Sequence, residues 1–261
     1  MSRVAIVELN ENVQESFKRA LKLIGKIDDL NTTERTVVIK VGVFDHKKEQ
    51  HTTVSVANAI INSFDRAPQI FLAESDNYKG KGLERLQIWK ELFTERIIPF
   101  NLSDDMNTKK VKIADEEIDL SHIVFKPNIF VSTHTLRKYE RGSILKNLLG
   151  LIPDRKKMRF HKKLETTLLD VYEAIGGIDL AVIDGTYTYT GPTLNKRIKT
   201  NIILVGRDAI AVEAVGATLV GLELEKMPVM QEAMKRDLGE GDIKKIEVLG
   251  TPIESLKEKF K

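Results

Sequence analysis

Thr36-Val-Val-Ile-Lys-Val-Gly-Val43 decides the fold. It is β-branched and nearly continuous, interrupted only by Lys40 and Gly42. A strand buried on both faces reads this way, and such strands belong to parallel sheets covered by helices on either side. Working outward, residues 4–9 form a shorter apolar strand, and Val13, Phe17, Ala20, Leu21 and Ile24 follow with the spacing of an amphipathic helix. Downstream, residues 54–64 read as a helix with Thr52 or Thr53 as N-cap, 69–73 as a strand and 83–95 as a helix holding the single tryptophan, Trp89.

The middle of the chain is less regular. Strands are expected at 97–100 and 110–113, with Asp115-Glu116-Glu117 as the turn into a further short strand. Residues 123–131 read as a strand interrupted at Lys126-Pro127-Asn128, and 142–149 as a short helix. A helix over 164–175 stops at Gly176-Gly177, and a strand over 180–183 closes on an Asp184-Gly185 turn. Residues 201–205 form a strand, Asp208 caps a helix over 209–220, and helix 228–235 and strand 246–249 complete the set. The alternation predicts an α/β fold, a mainly parallel doubly wound sheet with helices on both faces. It reads as a single domain over 1–261, with 97–163 a subdomain or lid.

Composition narrows the function. Hydrophobic content of 42% and charged content of 30% are those of a soluble globular protein. No apolar run approaches the roughly 20 residues that span a bilayer, so no membrane association is expected, and the N-terminus lacks a secretory pattern. A cytoplasmic location follows as the expectation. Without cysteine there is no thiolate nucleophile and no self-bound iron–sulfur cluster, and any metal needs His, Asp or Glu ligands. A net charge of +3 does not argue for nucleic acid, though the strongly basic run 155–163 keeps it open. That run reads either as a solvated loop or as a mobile cationic lid over an anionic ligand.

In open α/β sheets ligands sit beyond the carboxyl ends of the strands. Four strand ends carry polar groups: Lys40 with His51 and Thr52, Glu74 with Ser75, Ser132-Thr133-His134, and Asp184. Lys40 lies inside an apolar strand, where an unpaired ammonium is costly, so it is either paired with a carboxylate such as Glu74 or placed at an edge. His51 and Thr52 either shape a helix N-terminus or bind an anion there. His134, two residues past its strand, is the leading catalytic residue; otherwise it holds a loop in place. Lys146 and Asn147 lie on a short helix after Gly142 and are either solvated at the surface or, as Leu148-Leu149 suggests, carried on a helix packed inward. His161 belongs either to a lid or to the basic run. Asp184 either orients a base or binds metal, or merely shapes its turn. Phosphate-loop, Gly-x-Gly-x-x-Gly, nucleophile-elbow and zincin signatures are absent.

With these residues in view, the chain resembles the uncharacterised family known as domain of unknown function three hundred and sixty-two. The resemblance runs from about Val37 to Gly250. It rests on the Val-Ile-Lys40 strand, Thr52, His134, Gly142-Ser-Ile-Leu-Lys146-Asn147-Leu-Leu-Gly150, His161, Asp184-Gly185, Gly191-Pro192 and Val205-Gly206-Arg-Asp208-Ala-Ile-Ala211-Val212-Glu213-Ala-Val215. It implies that Lys146 and Asn147 are site residues. Many relatives carry a cysteine-rich ferredoxin-like module that is missing here, which implies an iron–sulfur protein as a partner; a homo-oligomer is compatible with it too.

The expectation is an enzyme acting on a small anionic metabolite or cofactor precursor. Lys40 and Lys146 hold phosphate or carboxylate, together with His51, Thr52, Ser75, Asn147 and His161. His134 and Lys146 carry acid–base chemistry. The cofactor is unknown; a divalent metal on Glu74 and Asp184 is one option. The alternative is a non-catalytic accessory or binding protein for an iron–sulfur partner or RNA.

Overall fold

The computed structural model describes residues 1–260. Among these residues, ten strands and eight α-helices follow one another. Strands β1 (Arg3–Glu8), β2 (Val37–Val41), β3 (Ile70–Glu74), β4 (Ile97–Asn101), β7 (Ile129–Arg137), β8 (Leu180–Thr190), β9 (Lys196–Gly206) and β10 (Glu247–Gly250) form one sheet. Its order is β10-β1-β9-β8-β7-β2-β3-β4, and only β9 runs against its neighbours. Strands β5 (Thr108–Ile113) and β6 (Glu116–Ser121) pair as a separate ribbon. The sheet is therefore mainly parallel, as the alternation of elements requires. Residues 97–163 supply β4 and β7 to it as well as the ribbon outside it.

Helices α1 (Val13–Leu23) and α2 (Val54–Asn62) cover one face. The other is covered by α4 (Ile144–Asn147), α5 (Leu164–Ala174), α6 (Ala209–Leu219) and α7 (Pro228–Lys235). Successive strand side chains divide between the two layers: Val37, Ile39 and Val41 join the α1–α2 side, and Val38 joins the α4–α6 side. Caps set the helix starts. Asn12 and Thr53 accept from amides of α1 and α2, and Asp208 accepts from Ile210 and Ala211 at 3.0 Å.

Four local expectations are corrected. The helix after β3, α3 (Gly82–Leu86), passes into a 3-10 turn at Gln87 because Trp89 leaves helical geometry; its indole N–H donates to the Thr52 carbonyl at 3.1 Å. The β5–β6 turn is Ala114-Asp115, both with positive φ, and Glu116 and Glu117 already belong to β6. Residues His122–Val124 form a 3-10 turn, so β7 starts after Pro127 and continues through His134, which lies within the strand. Asp184-Gly185 is no turn: β8 runs on to Thr190, and its pairing slips locally past Gly185.

Candidate functional site

Strands β2, β3, β7 and β8 are parallel, so their carboxyl ends share one rim. Strand order reverses between β7 and β2, and the crevice at such a point is where doubly wound sheets bind ligands. Asn147 bridges this place. Its amide donates to the Lys40 carbonyl at 3.0 Å and, from across the seam, to Ser132 Oγ and the Thr133 carbonyl at 3.2 Å.

The floor is a buried ion cluster. Lys40 Nζ lies 3.0 Å from Glu74 Oε2 and donates to Asn147 Oδ1 and the Val41 carbonyl at 3.1 Å. Arg85 Nη1 approaches the same carboxylate oxygen at 3.2 Å and donates to the Val43 carbonyl, and Nη2 donates to the Ser75 carbonyl. Burial alone raises the Glu74 pKa, but Arg85, Lys40 and Lys157 outweigh it and hold the carboxyl below its usual range. Burial lowers the Lys40 pKa, against the pull of Glu74. Gly150 makes room for this cluster, since a Cβ there would sit 2.6 Å from Lys40 Cε and 3.0 Å from Glu74 Oε1.

His134 forms a wall beside it. Its Nδ1 accepts from the Thr135 amide at 2.7 Å, which leaves the ring proton on Nε2. Burial, with Arg137, Lys40, His51 and Lys146 nearby, pushes its pKa well below 6.5, so the ring is neutral. Arg137 follows on the same strand and donates to the Gly142 and Ser143 carbonyls at 2.8 and 3.2 Å. Its Nε is buried with no hydrogen-bond partner among the described residues.

Helix α4 presents Lys146, and a residue far along the chain fixes that helix. Glu213, buried on α6, accepts from the Ser143 and Leu145 amides at 2.7 and 2.9 Å. A carboxylate across a helix start satisfies donors that otherwise lack partners. Burial raises its pKa, opposed by these amides and by Arg137. Gly142 has φ +84° and passes so near that a Cβ would lie 2.9 Å from Glu213 Oε2. Replacing Glu213 with alanine is expected to cost about 2–4 kcal/mol, because two buried amides lose their acceptor. Urea unfolding checks this, and a loss under about 0.5 kcal/mol contradicts it.

Lys146 itself makes no hydrogen bond or ion pair with any described residue. Burial first, then Arg137, Arg141 and Lys157, lowers its pKa to about 7. Lys157, lowered to about 8 mainly by burial, donates to Ser75 Oγ at 2.7 Å and to the Asp76 carbonyl. His161 is lowered as well, by burial and by Lys146 and Arg141.

These groups line a cavity of about 410 Å³. Seven Lys or Arg side chains face it against two carboxylates, Asp45 and Glu74. Of the residues expected from the sequence, Lys40, Glu74, His134, Lys146, Asn147 and His161 line it together. His51, Thr52, Ser75 and Asp184 do not. His51 bonds the Thr52 carbonyl at 3.0 Å and packs on Trp89; Thr52 meets Thr133 Oγ1 at 3.3 Å; Ser75 donates to the Gly150 carbonyl at 2.6 Å. Asp184 lies on the α2 side of the sheet and accepts from the Thr53 amide and hydroxyl at 2.7 Å and from the Thr186 amide at 2.8 Å. Glu74 and Asp184 thus hold different partners, and no group of three or more His, Asp or Glu gathers at metal-binding spacing among the described residues. The expected metal pair does not fit this donor set. Arg85, Arg137 and Glu213 were missed as site residues. Their only sequence signal was indirect, a lysine inside an apolar strand and a glutamate on an apolar helix.

No described helix is long and apolar enough to cross a membrane. A search of curated proteins finds no match. A family model described as Domain of unknown function (DUF362) matches residues 37–218, from the first residue of β2 into the last turn of α6. That span holds every residue of the ion cluster, the His134 wall, α4 and the Glu213 cap, and on it the chain belongs to this family of unknown function.

Proposed function

We propose that the protein is a cytoplasmic enzyme acting on a small anionic metabolite or cofactor precursor by Lys/His acid–base chemistry. The observation that carries this is Lys146, an unpaired amine with a pKa of about 7 in a cavity where cations outnumber carboxylates. Such an amine is partly neutral at physiological pH and suited to accept a proton, as a general base must be. The ligand's anionic group then belongs with Lys157, Arg137 and Arg155. His134, neutral and protonated on Nε2, serves as a hydrogen-bond donor to a carbonyl or leaving oxygen rather than as the base. His161 is a second group for returning a proton. The Lys40–Glu74–Arg85 cluster keeps the strand ends in register beneath them.

Two measurements test this reading. Calorimetric titration with phosphate esters and small oxo acids should show tighter binding at pH 6 than at pH 8.5, since protonated Lys146 and Lys157 attract the anion. In deuterium oxide, oxo acids that bind should exchange their α-protons, and Lys146→Ala should slow this by about 10²–10⁴-fold. Failure of every anion to bind at both pH values sinks the proposal.

Accessory roles have less support. In the basic stretch, Arg159 pairs with Asp154 and Glu116, and Lys163 with Asp115. Charges engaged inside the molecule are poor phosphate-backbone contacts for RNA.

A further inference from the structure

The cavity mouth differs in chemistry from its floor. Phe44, just beyond β2, is 47% exposed, Tyr78, beyond β3, is 56% exposed, and Met158 is 67% exposed, and all three line the cavity. Single exposed apolar residues are ordinary. Three at the mouth of one cation-walled cavity make a patch.

The loops that carry the two rings are held in place. The rings meet edge to face at 5.5 Å, inclined by 70°. Buried Asn77 ties their loops together, its amide donating to the Phe44 carbonyl at 3.0 Å while its backbone closes a tight turn with Gly80 around Tyr78. Arg155, another cavity residue, donates to the Asn77 carbonyl at 3.2 Å. Lys79 lies 5.3 Å from the Tyr78 ring centre and 3.7 Å from Asp45. Exposed aromatics on loops fixed by buried polar bonds form a stacking platform whose backbone ordering cost is met before a ligand arrives.

We infer that the ligand carries a flat aromatic ring joined to its phosphate or carboxylate, with the ring on Phe44 and Tyr78 and the anion on the cationic wall. This rests on the anion-binding reading above and adds the ring to it. A cavity of about 410 Å³ accommodates both parts together. The shared chemistry is an aromatic anion, whether nucleoside phosphate or aromatic acid, and paired probes distinguish these.

The experiment measures affinities of the full chain for adenosine monophosphate against ribose 5-phosphate, and for 4-hydroxybenzoate against cyclohexanecarboxylate. At least one aromatic member should bind roughly tenfold tighter than its non-aromatic counterpart. The pair that shows the preference identifies the source of the ring. In the Phe44→Ala/Tyr78→Ala double variant the preference should disappear, while the affinity for the non-aromatic probes changes less than about twofold, because surface substitutions leave the floor intact. Equal binding within both pairs, or a preference that survives in the double variant, overturns the inference and leaves the anion site standing. Absence of binding by all four probes overturns both.

Discussion

Replacing Glu74 with leucine is expected to lower the unfolding free energy by about 3–5 kcal/mol, the cost of leaving a buried ion pair half-made. Here two cations lose one counter-ion. Lys40 and Arg85, each about as buried as the apolar core, share Glu74 Oε2 at 3.0 and 3.2 Å. After the substitution they keep only neutral carbonyl and amide acceptors. Lys40→Met should cost less, because Arg85 still neutralises Glu74. The pH profile carries the same signature. With its pKa held low, Glu74 contributes stability that is present above about pH 4.3 and is lost as pH falls through the folded pKa. Glu74→Leu should lack this part of the acid limb. Urea midpoints for both variants across pH 3–7 decide the matter, and wild-type stability in Glu74→Leu refutes the account.

Lys146→Met should act in the opposite direction on stability while removing function. The folded pKa of about 7 lies below the unfolded value of 10.5. Between those values the unfolded chain holds the extra proton, so stability rises with pH over that window. Below pH 7 the penalty is fully present, with an upper bound of about 5 kcal/mol at 1.36 kcal/mol per pKa unit. Methionine fills similar space without charge. The variant should therefore be more stable than wild type at pH 6, with the difference shrinking toward pH 10, and should lose the α-proton exchange. A less stable variant at pH 6 would show that Lys146 has a structural partner after all. Residues kept for chemistry commonly cost stability in this way.

The apolar runs made the sheet legible in sequence. Val37–Val41 and Ile70–Glu74 stand within a residue or two of where their apolar composition put them. Strand-end polarity likewise located the cavity through Lys40, Glu74 and His134. What it could not supply was the face. Lys40, Ser132 and His134 share the α4 side, and Asp184 falls on the α2 side by the period-two alternation of β8. Reading strands to their ends pooled both faces at one rim. Residues acting across the chain were also out of reach, because Glu213 meets Ser143 and Leu145 only after α6 packs on α4. Arg85 sits in Leu-Glu-Arg-Leu, a pattern normal for a solvated helix, and only the need to neutralise Glu74 together with Lys40 draws it inside.

The pairing of β9 bears on how this unit can be trimmed. The family match ends at residue 218 and begins at 37, whereas β9 is closed on its outer side by β1, and β1 in turn by β10. Cutting to the matched span would bare the backbone of Ile202, Ile203, Leu204 and Val205 along an antiparallel edge. The segments outside the matched span therefore act as an edge guard: they add nothing to the cavity wall, yet they move the sheet's edge on that side from the 11-residue β9 to the 4-residue β10.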